Sequence, residues 1–195
     1  MNRRSLLKNS ASAALVTLCA GSAVLQLAHA MAAEAPVAKE KNPPGDIPDD
    51  QVFVDYSSPL GFSVKVPEGW GRTDANDGVT FADKYGTVVV AVKPASAALT
   101  LASVRANEVP ELEKTGHAVK ISAVTEVKLP AGPAIRIAYG ANSEPNAVTG
   151  KQIRLENERF LIAHGDKVAA LTFAAPAGAD NADQWTLMSQ SFGWK

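Results

Sequence analysis

His117 and His164 are the imidazoles that remain once a leader at the N-terminus is set aside. Imidazole is the side chain that titrates nearest neutrality, and it is a common metal ligand. A shared metal site needs a third ligand at suitable spacing, and neither histidine sits in a His-x-Glu or comparable pattern. His117 follows Gly116 at a helix end, where a cation favours the terminal carbonyls. His164 precedes a Gly165-Asp166 turn. Both read as surface histidines. Asp74, Asp77 and Asp83 lack the alternating acids and final glutamate of a calcium loop, and Asp77-Gly78 reads as a turn. Arg154, Glu156, Glu158 and Arg159 read as a solvated face with weak ion pairs, flanking a hairpin. Beyond the leader there is no cysteine, no Gly-x-Ser-x-Gly and no Ser-x-x-Lys, and no phosphate-binding or dinucleotide glycine spacing occurs. The expectation is a protein without catalytic residues, metal or cofactor.

The first thirty residues read as a cleaved export signal. A basic start is followed by an Ala-, Leu- and Val-rich stretch. Ala28 and Ala30 then supply the small side chains of a cleavage site. Gly21, Ser22 and Gln26 interrupt the apolar run, which makes it a poor membrane span. Arg3-Arg4 followed by Ser5-Leu6-Leu7-Lys8 resembles a twin-arginine signal, and an ordinary secretion signal is the other reading. Cys19 follows Leu18, which departs from a lipidation site.

The 195 residues carry 19 Lys+Arg and 20 Asp+Glu. Cleavage after Ala30 removes Arg3, Arg4 and Lys8 and no acid, leaving 16 basic against 20 acidic residues, a formal charge of −4. That balance argues against nucleic acid and anionic membranes as main partners. With 46% hydrophobic and 20% charged residues the composition is globular.

Residues 31–51 contain Pro36, Pro43, Pro44 and Pro48 among charges, and read as a flexible tether or an arm that orders on binding. Residues 52–195 form one domain, long enough to bury about 68–70% of its unfolded surface. Strands are predicted over 52–57, 62–66, 79–82, 87–93, 119–129 and 134–139; Phe62, Val64 and Val66 alternate, whereas Val88 to Val92 is apolar on both faces and suits a central strand covered on both sides. On the long strand Val119, Ile121, Ala123, Thr125, Val127 and Leu129 are expected to share one face. Strands over 152–156, 159–164 and 167–174 are expected to form two hairpins, turning at Asn157-Glu158 and Gly165-Asp166. A helix is predicted over 101–114, broken or kinked at Pro110, and another over 181–191 capped by Asp180. Trp185, Met188 and Phe192 repeat at helical spacing. Tight turns between strands imply an antiparallel sheet, and the fold class is α+β.

The run from Tyr56 through Gly61-Phe62 to Pro67-Glu68-Gly69-Trp70 resembles the opening of PsbP-like domains. The ending, with Leu171 to Pro176, Asp183-Gln184-Trp185 and Ser191-Phe192, is similar to theirs. The resemblance implies an α/β/α sandwich around a central antiparallel sheet. It also implies a non-catalytic role, because the family's members bind and stabilise partners: the extrinsic photosystem II subunit is one, and a nuclear Ran-binding protein shares the fold. The expected function is therefore an exported domain, periplasmic or otherwise extracytoplasmic, that binds or stabilises an envelope protein or complex. A small-ligand carrier and a hydrolase with a dispersed site are the alternatives. Trp70 is expected to plug one end of the sheet, with a ligand-facing aromatic as the other reading. Trp70 and Trp185 are the candidate partner contacts.

Overall fold

The structure is a computed structural model that describes residues 34–195. Arg3, Arg4, Cys19, Ala28 and Ala30 lie outside the described residues. The strands are β1 (Phe53–Ser57), β2 (Phe62–Pro67), β3 (Gly71–Ala75), β4 (Gly78–Ala82), β5 (Thr87–Pro94), β6 (His117–Leu129), β7 (Gly132–Asn142), β8 (Arg154–His164), β9 (Lys167–Pro176) and β10 (Gly193–Trp194). The helices are α1 (Leu101–Ser103), α2 (Val109–Thr115) and α3 (Ala182–Ser191). A π-helical turn, Val104–Glu108, joins α1 to α2.

Seven strands form one sheet in the order β3-β4-β5-β9-β8-β7-β6, and β1-β2-β10 form a smaller one. Every pairing is antiparallel, as tight turns require. The division into two sheets departs from the single sheet expected.

Alternation along the strands divides the apolar side chains into two cores. Phe160, Ile162, Leu171 and Phe173 pack with Trp185 and Met188 of α3. Ile135, Ile137, Leu161 and Ala170, of the opposite parity, pack with Val104 and Leu112 of the other helical segment. Pro110 stands in the first turn of α2, where its missing N–H costs little, so the expected break becomes a π turn just before it.

Four elements differ from expectation. The register of β6 on β7 slips between Ile121 and Ala123. A bulge of this kind reverses the faces. Val119 and Ile121 therefore join the core of Leu112, whereas Val127 and Leu129 join that of Trp185, so the six residues do not share one face. Asn157-Glu158 makes no turn, because β8 runs unbroken and pairs Asn157 with Tyr139 and with Ala174. The exposed edge strand β3, closed onto β4 through Asn76-Asp77, has no apolar alternation to announce it. Asn181, not Asp180, holds the cap position of α3, and its side chain is used elsewhere.

That side chain fastens the segment preceding the domain. Asn181 Oδ1 accepts from Ile47 N at 2.6 Å, and Asn181 Nδ2 donates to Gly45 O at 3.0 Å. Ile47 is 6% exposed and belongs to the larger core. Gly45 and Ile47 are therefore seated on the domain. One isoleucine with a partner 134 residues away leaves no periodic trace in the sequence.

Candidate functional site: a basic groove beside the N-terminal arm

The face of β7 and β8 that α3 covers near Phe160 continues past the helix toward the other end of the sheet. Ala138 pairs with Glu158, Gly140 with Glu156 and Asn142 with Arg154, and Lys120 of β6 pairs with Gly140. Directly paired residues share a face. They place Lys120, Arg136, Arg154, Glu156 and Glu158 around a groove of about 500 Å³, with Pro36 and Lys39 of the arm on its rim. Arg136 is paired to Glu158.

Arg154 is only 8% exposed. Its Nη1 donates to Ala118 O at 2.8 Å and to Asn142 Oδ1 at 3.1 Å. Its guanidinium lies against the Gly140 backbone, where a Cβ would meet Nη2 at 2.6 Å and Nε at 3.1 Å. Glycine at 140 is thus the space that lets a buried cation lie on the sheet. Gly140→Ala is expected to displace the guanidinium from both acceptors and cost about 1–3 kcal/mol. An unchanged urea midpoint would mean that Arg154 moves aside freely.

The arm is held at the same corner. Asn142 Nδ2 donates to Glu34 Oε1 at 2.9 Å and to Ala35 O at 3.0 Å, while Asn142 Oδ1 accepts from Val37 N at 3.0 Å. Gln152 Nε2 also donates to Glu34 Oε1, at 2.7 Å. His117 Nδ1 stands 2.7 Å from Glu34 Oε2, and its Nε2 stands 3.1 Å from Glu144 Oε2. Both contacts are hydrogen bonds only when both ring nitrogens carry protons. The Asn142 bond, followed by those of His117 and Gln152, lowers the Glu34 carboxyl to about 2. Glu34 and then Glu144 raise His117 above its ordinary 6.5.

The two shifts act in opposite directions with pH. The raised histidine holds the arm fully below about 6.5 and lets go as pH rises through its higher folded value. The lowered carboxylate holds the arm above about 4.5 and lets go as pH falls toward 2. The clasp is therefore tightest between about 4.5 and 6.5. The protection factor of the Val37 amide, the factor by which its exchange is slowed relative to an unstructured amide at the same pH, should be greatest in that window and should fall above it, and His117→Gln should abolish the upper limb. A flat profile from pH 5 to 9 would show that His117 does not hold the arm.

The structure separates the other residues singled out by sequence. His117 and Arg154 both neighbour Asn142, whereas His164 ends β8 ten residues further on, roughly 30 Å away at strand rise. The two histidines are not brought together. His164 instead stacks on Trp194 at 5.7 Å. Asp83 caps its own turn through Tyr85 N and Gly86 N, and Asp74 pairs with Arg72. No group of three metal-ligating side chains forms among the described residues. Arg159 points away from the groove and pairs with Glu108, which also takes Lys93 at 2.8 Å. The four charges near residues 154–159 thus divide between two faces, and Arg154 is buried, contrary to the solvated face expected. Trp70 is half-buried and lies over Gly86, while Trp185 is 7% exposed and leaves almost no surface for a partner. Glu34, Asn142 and Gln152 escaped sequence reasoning because their spacing brings nothing together; only the fold does.

No protein-family model matches the chain, and no curated protein matches it. Solved structures do resemble it. The solution structure of cyanobacterial PsbP from Synechocystis sp. PCC 6803 has a TM-score of 0.51 at 14% identity, over 77% of this chain and 98% of that one. The Saccharomyces cerevisiae Ran-binding protein Mog1p has a TM-score of 0.50 at 11% identity, over 74% and 96%. A Bacteroides thetaiotaomicron protein has a TM-score of 0.48 at 14% identity, over 72% of this chain and 48% of its own, so the chain spans about half its length. At these identities the likeness to PsbP and Mog1p is one of fold: an antiparallel sheet with helices, α+β.

Proposed function

We propose that this chain is an exported, non-catalytic domain of PsbP-like kind, an α/β/α sandwich that binds a protein partner or complex in the cell envelope. The observation that carries the reading is the groove at Arg154. It is open and charged, and it presents Lys39, Lys120, Arg154 and Glu156 to a charged partner. Mog1p, described as Ran-binding, has a comparable fold, which supports a binding role without naming a partner. Export rests on the sequence of residues 1–30, with Arg3-Arg4 as the receptor-read pair and cleavage after Ala30. Half-buried Trp70 remains the candidate partner contact among the tryptophans.

The test is affinity capture of the full chain from its native envelope, with mass spectrometry of what copurifies, beside the mass of the mature N-terminus. A stoichiometric protein partner and a start at Met31 are expected. A purified protein that turns over ester, peptide or glycan substrates, or that carries a stoichiometric small molecule, overturns the reading.

A further inference from the structure

The geometry points to the groove at Arg154 as a carboxylate-binding site that takes an extended acidic segment of the partner protein. This inference deepens the binding reading and rests on it.

A buried guanidinium is costly unless its charge and its donors are met. Arg154 is nine-tenths buried, and no carboxylate of the described residues pairs with it. Only Nη1 is bonded within the described residues. Nε and Nη2, the edge that engages a carboxylate through two parallel bonds, make no bond there, and Arg154 lines the groove. Lys120 stands exposed on the adjacent strand, in register with Gly140 beneath the guanidinium. Lys39 faces the same space from the arm. With Arg136 and Glu158 paired to each other, Lys39, Lys120 and Arg154 face one remaining acid, Glu156.

That balance leaves the groove positive, and a segment bearing several carboxylates meets Lys39, Lys120 and Arg154 together, whereas one phosphate ion reaches fewer of them. The corner already draws one carboxylate, because Glu34 is held on Asn142, whose other amide atom accepts from Arg154. The shape selects an extended occupant. Arg136 and Glu158 also line a second cleft of about 340 Å³ between the sheet and Thr186 of α3, so the two spaces adjoin along the sheet at this ion pair.

The experiment titrates the isotope-labelled full chain with a capped hexapeptide of alternating glutamate and glycine, its glutamine counterpart and inorganic phosphate. The NMR signals of Arg154 Nε–H and the Gly140 amide report binding. The glutamate peptide should shift both signals saturably. The glutamine peptide should not, and phosphate should bind more weakly. Lys120→Glu, an exposed change that leaves the fold intact, should weaken the glutamate peptide at least threefold. Arg154→Lys, which keeps the charge and loses the fork, should weaken it further. Equal binding of both peptides, tighter binding of phosphate or indifference to Lys120→Glu would overturn the assignment. A captured envelope partner whose affinity Lys120→Glu leaves unchanged would remove this groove and spare the binding reading. Specific glutamate-peptide binding by a chain that captures no protein would do the reverse.

Discussion

Trp185→Ala is expected to lower the unfolding free energy by about 3–5 kcal/mol, the range for deleting a buried large aromatic. The ring is 7% exposed and stacks on Phe173 at 5.8 Å with planes 16° apart. Phe173 sits on β9, the central, fourth strand of the seven-stranded sheet, and has no exposed surface. The substitution therefore opens a cavity between α3 and the centre of the sheet, where rigid strands cannot close in. Against a typical stability of about 5–15 kcal/mol this is a large loss. Urea denaturation reads it directly. A change below about 1 kcal/mol would show that the ring is not packed as described, and Trp185 would return as a partner contact.

Phe62→Ala should cost a similar amount, about 3–5 kcal/mol, with a different local signature. Phe62 belongs to the small sheet and has no exposed surface. It stacks on Phe192 at 5.6 Å and lies 6.1 Å from Tyr56, which itself meets Phe81 of β4 edge-on at 5.0 Å. This aromatic chain links the small sheet to Phe192 at the end of α3 and to the large sheet, beside the Lys65–Ser191 hydrogen bond and the stacking of His164 on Trp194. Hydrogen exchange should therefore accelerate first in β1, β2 and β10, before the β7–β8 pair responds. Uniform acceleration across both sheets would mean that the small sheet has no separate attachment.

Much of the frame was legible because it is local. Strand alternation survives in β2 and β7 since each has one face on a core. Gly165 at φ 57° makes the tight turn its dipeptide announces, with His164 paired to Lys167. The helical repeat of Trp185, Met188 and Phe192 marks the buried stripe of α3. The edge strand β3 was not legible, because all five of its residues are exposed and carry no periodic signal.

The candidate site was scarcely legible at all. Arg154 read as one charge in a polar run, yet it is among the most buried charged residues. Its burial depends on a glycine on the facing strand, an amide at Asn142 and a carbonyl at Ala118. Periodicity, turn chemistry and composition are properties of neighbours in the chain, and they determined the α+β class. The bulge in β6, the seating of Glu34 on Asn142 108 residues away, and the open edge of a buried guanidinium are contacts between distant segments. Tertiary structure alone decided these, because a charge can be buried only where the rest of the fold supplies its partners.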